Sequence, residues 1–98
     1  MTYTVAFTDE FQVFLDGIKD QVAARAIKTR IVRFEAGLFG DAKPVGGKVM
    51  EARVHIGPGY RLYYTMKGRQ MVVLLCGGDK RRQQGDIEKA KTLAEGLG

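Results

Sequence analysis

Three strand-like segments follow one another over residues 49–76, and this pattern restricts the chain to a fold built on an antiparallel sheet. Apolar and polar residues alternate in 49–56 and again in 60–66, as in strands with one buried face. Gly57-Pro58-Gly59 between them is a strong turn signal. Residues 71–76 (MVVLLC) are apolar throughout, which is typical of an internal strand.

The remaining segments predict one short strand and three helices. Residues 3–7 (YTVAF) favour a strand, and Thr8 is a suitable N-cap for a first helix. Asp20 is a suitable N-cap for a second helix, which Gly37 ends. Apolar residues at helical spacing predict a final helix from about Gln84 to Gly96.

These elements predict one α+β domain over residues 1–98. We expect a compact antiparallel sheet of about four strands, with two N-terminal helices and a C-terminal helix covering one sheet face. Residues 38–48 are interpreted as a glycine-rich connection. Gly77-Gly78 is interpreted as the turn that ends the last strand, with a backbone anion-binding nest as the alternative.

The positive charge of the chain is concentrated on the predicted sheet. The whole chain has a formal net charge of +5, whereas residues 43–82 carry nine Lys and Arg against two acidic residues, a net +7. We expect the open face of the sheet to present Arg53, Arg61 and Tyr63. A basic surface bearing tyrosine is typical of proteins that bind phosphate-rich partners, and it predicts binding that weakens with ionic strength.

Several classes of protein are excluded by the sequence. No apolar run approaches the roughly 20 residues that span a bilayer, and the N-terminus lacks a secretory signal, so we expect a cytoplasmic protein without a membrane partner. One Cys and one His exclude an all-Cys/His zinc site. Phosphate-loop, dinucleotide-binding and catalytic-triad motifs are absent, and we expect neither metal nor cofactor. Cys76 closes an apolar strand and is predicted to be an inert core residue.

A cluster of cations can promote RNA cleavage, because RNA carries its own nucleophile, the 2′-hydroxyl, beside the scissile phosphate. Paired arginines suit phosphate oxygens, and Arg53 and Arg61 should be neighbours across the hairpin. The alternative for both arginines is a solvated sheet face or an ion pair with Glu51. His55, on the same face, is either a general base or a bystander. Tyr63 is a candidate for stacking on a base. Residues 80–82 (Lys80, Arg81 and Arg82) are either phosphate contacts or a solvated charge run.

Two stretches of the chain resemble a known family. GDAKPVGGKVMEARVHIGPGYRLYY and VVLLCGGDKRRQQGDIEKAKTLA, in that order, resemble the RelE/ParE superfamily of toxins of bacterial type II toxin–antitoxin modules, and most of all its HigB-like branch of addiction-module killer proteins. The resemblance runs from about Phe11 to Leu93. It implies a compact α+β fold and one of two activities: ribosome-dependent mRNA cleavage without a cofactor, or ParE-like inhibition of DNA gyrase without nuclease activity.

The resemblance also implies site residues and partners. Arg53 (from E-x-R), Arg61 (from GYR) and Lys80 (from GGDK) match basic positions of the nuclease-type members, with Lys43 and Lys48 as weaker candidates for binding RNA. Many of those members place a catalytic Tyr, Lys or His near the C-terminus, where this chain has a regular helix, so the general acid is unassigned. Expected partners are the ribosome, mRNA and a cognate antitoxin, often of the helix-turn-helix type. We expect operator DNA to be bound only through the antitoxin. A degenerate toxin that only binds its antitoxin is a third interpretation.

Overall fold

The structure, a computed structural model, describes residues 2–97 as five strands, three α-helices and one short 3-10 helix. In chain order the elements are β1 (Thr4–Phe7), α1 (Asp9–Asp16), α2 (Gln21–Glu35), β2 (Ala42–Gly46), β3 (Val49–Val54), β4 (Tyr60–Lys67), β5 (Met71–Asp79), the 3-10 helix (Lys80–Arg82) and α3 (Gln83–Glu95). The predicted α+β class is confirmed.

The five strands form one mixed sheet in the order β1-β5-β4-β3-β2. Strands β3, β4 and β5 make the predicted antiparallel meander, whereas β1 runs parallel to β5 at one edge. The prediction of about four antiparallel strands missed β2, which pairs antiparallel with β3 at the other edge. Its sequence AKPVG shows no alternation, and Pro44 is tolerated because an edge strand needs to pair on one side only.

Helices α1 and α2 begin where their capping residues predict. The Thr8 hydroxyl accepts a hydrogen bond from the N–H of Phe11 at 3.1 Å, and the Asp20 carboxylate accepts one from the N–H of Val22 at 2.9 Å. Both helices pack on one face of the sheet, where Phe11 and Phe34 join a core that includes Leu62 of β4. Within residues 2–97, no helix has the length and apolar character needed to cross a membrane.

Helix α3 covers the opposite face, so the prediction that all helices share one face is wrong. Ile87 and Ala90 of α3 pack against Val49, Tyr63 and Leu75 in a second core. The physical reason is that β5 is apolar on both sides, and both sides must be removed from water. The face expected to be open is therefore covered over much of its length.

Strand β5 continues to Asp79, so the prediction that it ends at Gly77-Gly78 is wrong. A Cβ atom on Gly77 would collide with the Phe14 ring, and one on Gly78 would collide with the Asp86 carboxylate. The two glycines are therefore required by the close approach of α1 and α3 to the strand. The N-terminal end of α3 therefore meets the sheet beside Arg61 of β4, which is the register partner of Gly78.

Candidate functional site

Four basic side chains, three of them cationic, surround one hollow at the end of the sheet where the loop joins β3 to β4. Arg53 and Arg61 are register partners across these two strands. His55 follows β3, and Lys80 follows β5, where its backbone N–H donates to the carbonyl of Gly59 at 2.9 Å. All four side chains line the same hollow. The structure thus brings together the four residues predicted to be catalytic.

Arg61 forms an ion pair with a buried carboxylate, that of Glu51. The Arg61 side chain is 12% exposed and the Glu51 side chain is fully buried, with 3.6 Å between Arg61 Nε and Glu51 Oε2. The same carboxylate oxygen accepts a hydrogen bond from Gln83 Nε2 of α3 at 2.9 Å. A buried charge of this kind is tolerated only with an opposite charge and hydrogen-bond donors around it. The contact between Arg61 and Glu51 is an ion pair without a hydrogen bond, so the buried carboxylate attracts Arg61 while its own hydrogen bonds come from Tyr63 and Gln83.

Tyr63 takes part in this buried network and is unavailable to stack on a base. Its side chain is fully buried beneath α3, and its hydroxyl donates to Glu51 Oε2 at 3.2 Å. Burial, and then the negative charge of Glu51, raise the pKa of the Tyr63 hydroxyl. The predicted stacking role is wrong, because a base needs an exposed ring face. The misplacement follows from the position of α3, which covers the face expected to be open.

Asp41, which the sequence did not single out, contacts two of the four basic side chains. Its Oδ1 lies 2.8 Å from Arg53 Nη2, and its Oδ2 lies 2.6 Å from His55 Nε2. The hydrogen bond with His55, and then the one with Arg53, lower the pKa of the Asp41 carboxyl to about 2. Asp41 is consequently charged at every physiological pH.

Arg30 of α2 anchors the backbone around Asp41. Its guanidinium donates to three main-chain carbonyls: those of Arg53 at 2.6 Å, Asp41 at 2.9 Å and Phe39 at 3.2 Å. These contacts tie the segment before β2 to the end of β3. Burial lowers the pKa of Arg30, although the nearby Asp41 opposes that shift. An exposed loop is thereby given a fixed position beside the hollow.

The charges around the hollow are only partly neutralised. Arg53 pairs with Asp41, and Arg61 pairs with Glu51. Within residues 2–97, Lys80 has no carboxylate at salt-bridge distance. Donors from two guanidinium groups and one ammonium group therefore border a space that suits a single anion, such as a phosphate.

Comparison with known proteins identifies relatives of the chain and its fold. No protein-family model matches the chain. An uncharacterized protein of Haemophilus influenzae is 42% identical over 98 residues, covering 100% of this chain and 99% of that protein. The chain belongs to the same family as this Haemophilus protein.

Two solved structures share the fold at low sequence identity. One is a toxin–antitoxin complex, RelBE2 of Mycobacterium tuberculosis, with a TM-score of 0.64 and 23% identity over 82% of this chain and 100% of that one. The other is a double arginine-to-alanine mutant of the E. coli toxin RelE in the free state, with a TM-score of 0.69 and 18% identity over 94% of this chain and 98% of that one. The RelE-like fold predicted from the motifs is confirmed, whereas the HigB-like branch stays a prediction.

The five residues predicted to bind RNA lie at different distances from the hollow of this RelE-like fold. Lys43 is the register partner of Glu51, and it is exposed on the strand beside the hollow. Lys48 lies in the β2–β3 turn at the opposite end of β3, roughly 16 Å along the strand from Arg53. An RNA segment held in the hollow would have to extend along the sheet edge to reach Lys48.

The two arginines after Lys80 are exposed at the start of α3. The Arg81 guanidinium donates to the Asp79 carboxylate at 2.9 Å, and this contact raises the pKa of Arg81. Arg82 lies beside Asp86 in a neighbouring groove between α1 and α3. Neither residue lines the hollow, so their role as phosphate contacts stays a prediction.

Cys76 does not belong to the site. The thiol is buried and donates to the carbonyl of Asp86 at 3.6 Å. Burial, and then the charge of Asp86, raise its pKa to about 12, so it remains a thiol at neutral pH. In the described part of the chain, no three His, Cys, Asp or Glu side chains are grouped as metal ligands.

Sequence reasoning missed Asp41, Gln83 and Arg30. Glu51 was considered as a partner of the two arginines, and the structure pairs it with Arg61. Asp41 lies in the stretch GDAKPVG that carries the resemblance, but no signal connected it with His55, since it precedes a strand that the sequence did not indicate.

Proposed function

We propose that this chain is the toxin of a toxin–antitoxin pair and that it cleaves mRNA within the ribosome. The observation that carries the proposal is the convergence of Arg53, His55, Arg61 and Lys80 from three strand ends on one hollow. The fold shared with RelE toxins supports the same assignment. The cleavage would need no metal, because the 2′-hydroxyl of RNA is the nucleophile.

The arginines are assigned to the phosphate. Arg53 is hydrogen-bonded to Asp41, and Arg61 is nearly enclosed and ion-paired with Glu51, so both guanidinium groups are restrained before an anion arrives. Donors that are held in advance stabilise the charge that develops on the phosphate oxygens, which is usually the largest contribution to catalysis. Arginine suits this role because its planar fork meets two oxygens at once.

Proton transfer is assigned to the two more exposed groups. His55 accepts the proton of the 2′-hydroxyl as the 2′-oxygen attacks phosphorus and the bond to the 5′-oxygen breaks. The ammonium of Lys80 gives a proton to the departing 5′-oxygen. The products are a 2′,3′-cyclic phosphate and a 5′-hydroxyl, and one proton is taken up for each one released.

The partners follow from the same proposal. The RelBE2 structure is a toxin–antitoxin complex, and it supports a cognate antitoxin as the protein partner of this chain. From the sequence motifs we expect an antitoxin of the helix-turn-helix type, which would bind the operator DNA. The ribosome and mRNA are the proposed targets, and the cytoplasm is the proposed location.

The test of this function is Arg53→Ala, with Arg69→Ala as the matched control. Both changes remove one positive charge, but Arg69 is exposed in the β4–β5 turn at the other end of the sheet. We expect Arg53→Ala to slow cleavage of ribosome-bound mRNA by roughly 10²–10³-fold, and Arg69→Ala to leave it unchanged. The measurement is primer extension on transcripts after induction, with purified programmed ribosomes for the rate.

Arg61 needs a different substitution. Arg61→Ala would leave the Glu51 carboxylate buried without its cation and would confuse loss of fold with loss of function. Arg61→Lys keeps the charge but removes the planar fork, and we expect it to slow cleavage by about tenfold or more. Intact transcripts and a DNA-damage response on induction of the unsubstituted chain would overturn the nuclease and favour gyrase inhibition. Normal growth on induction would indicate a degenerate toxin.

A further inference from the structure

Asp41 has the geometry of a residue that orients a catalytic base. Each carboxylate oxygen contacts one functional side chain: Oδ2 lies 2.6 Å from His55 Nε2, and Oδ1 lies 2.8 Å from Arg53 Nη2. Both distances are in the range of charge-assisted hydrogen bonds. Neither contact is needed by the hydrophobic core, because the Asp41 side chain is 40% exposed and that of His55 is 73% exposed.

The carboxylate is held by more than its own side-chain contacts. The carbonyl of Asp41 accepts hydrogen bonds from Arg30 Nη2 and from the backbone N–H of Arg53, each at 2.9 Å. Arg30 binds the carbonyl of Arg53 as well, at 2.6 Å. Helix α2 and strand β3 therefore both fix the position of Asp41. In residues 2–97, by contrast, Asp41 is the sole hydrogen-bond partner of the His55 ring.

We propose, on the basis of the proposed nuclease function, that Asp41 is the positioning residue for His55. A carboxylate only accepts hydrogen bonds, so it fixes the proton of the neutral imidazole on Nε2 and leaves Nδ1 free. His55 Nδ1 is then the atom that accepts the proton of the 2′-hydroxyl. The carboxylate also stabilises the imidazolium that results, as carboxylates paired with histidine do in other hydrolytic sites.

The contact with Arg53 makes this assignment sharper. Asp41 joins the proposed base and one of the two phosphate-binding arginines in a single fixed unit, so a phosphate on Arg53 is placed at a set distance from Nδ1.

Asp41→Asn tests the proposal, because the identity of its neighbours dictates how the amide must turn. Arg53 can only donate, so the amide oxygen faces Arg53 and the NH₂ group faces His55. His55 Nε2 must then accept, which moves the proton to Nδ1 and blocks the proposed base. Asp16→Asn is the matched control, since it makes the same charge change at the exposed end of α1.

The first measurement is the ¹⁵N NMR spectrum of the imidazole, which is free of overlap because the chain has one histidine. We expect the neutral ring to carry its proton on Nε2 in the unsubstituted protein and in Asp16→Asn, and on Nδ1 in Asp41→Asn. A ring that keeps the same tautomer in all three proteins would overturn the proposal, because Asp41 would then not control it.

The second measurement is the single-turnover rate on programmed ribosomes. We expect Asp41→Asn to slow cleavage by roughly 10²–10⁴-fold, and to have a much smaller effect in a protein that already carries His55→Gln, where its contact with Arg53 alone is changed. An equal effect in both backgrounds would mean that Asp41 acts through Arg53 or the fold, and would overturn the role assigned here. Absence of cleavage by the unsubstituted chain would instead overturn the proposed function itself, so the two failures are distinguishable.

Discussion

Removal of the buried Glu51 carboxylate is expected to cost this protein much of its stability. Glu51→Ala leaves the Arg61 guanidinium, 12% exposed, without its negative partner. It also takes the hydrogen-bond acceptor from the Tyr63 hydroxyl and the Gln83 amide. Breaking a buried ion pair on one side costs about 3–5 kcal/mol, and a domain of this size holds only about 5–15 kcal/mol in total.

The assay is thermal unfolding followed by circular dichroism. At roughly 4–8 °C per kcal/mol for a domain of 60–100 residues, Glu51→Ala should lower Tm by at least about 12 °C. Glu88→Ala, an exposed glutamate of α3, is the control and should change stability by no more than about 0.5 kcal/mol. Glu51→Gln keeps the shape and an acceptor oxygen, so it should cost less than Glu51→Ala.

A double-mutant cycle decides whether the ion pair is the cause. Arg61→Ala alone should also be strongly destabilising, because it leaves Glu51 buried and uncompensated. The double variant should lose less stability than the sum of the two single variants, by more than about 1 kcal/mol. Losses that add to within about 0.5 kcal/mol would refute the reasoning, since the two charges would then not depend on one another.

Two further predictions concern other contacts of the site. Gly78→Ala places a Cβ atom against the Asp86 carboxylate and should destabilise the fold by about 1–3 kcal/mol in denaturant unfolding. Gly85→Ala, with open space around it in α3, should stabilise the fold by about 0.4–1 kcal/mol. A Gly78→Ala protein as stable as the original would contradict the packing described. For Asp41, whose folded-state pKa of about 2 lies below the unfolded value of 3.8, the stabilising contribution is complete above about pH 5 and lost as the pH falls toward 2. The difference in unfolding free energy between the original protein and Asp41→Asn should therefore shrink over that interval in acid titrations, and a constant difference would exclude the hydrogen bonds of Asp41 as its source.

The convergence of Arg53 and Arg61 could be predicted because it depends only on local pattern. Alternation sets the face of each strand, and the short Gly57-Pro58-Gly59 turn sets the pairing, so two polar residues near the turn become cross-strand neighbours. Strand β5 pairs with β4 as far as Asp79 and Tyr60, so Lys80, the next residue, lies at the same end of the sheet. No long-range information was needed for these three side chains.

The position of α3 required information that the helix itself does not contain. Its apolar stripe shows that one side is buried, but not against which face of the sheet. The apolar character of 71–76 on both faces was the usable signal, since a strand of that kind needs cover on each side. The same error affected Tyr63. The sequence placed its side chain on the correct face of β4, but that face is covered by α3 and the side chain is buried.

Asp41 could not have been predicted from the sequence for a different reason. Its distance from His55 depends on the pairing of β2 with β3, and that pairing contains a register shift between Pro44 and Gly46. A shift of this kind moves every residue before it relative to the partner strand, and no periodicity in AKPVG reveals it. The contact becomes visible only with the coordinates of both strands.

The exposure of the four side chains follows the task proposed for each. Arg61 is nearly enclosed, and Arg53 is intermediate with its side chain 33% exposed. Electrostatic stabilisation depends on donors that do not reorganise during the reaction, so the phosphate-binding groups gain from being fixed by buried or anchored carboxylates. His55 and Lys80, which the proposed mechanism places beside the 2′- and 5′-oxygens of RNA, are exposed. Within residues 2–97, His55 has a carboxylate partner and Lys80 has none. In the proposed mechanism the fold therefore controls the orientation of the proton acceptor rather than that of the donor.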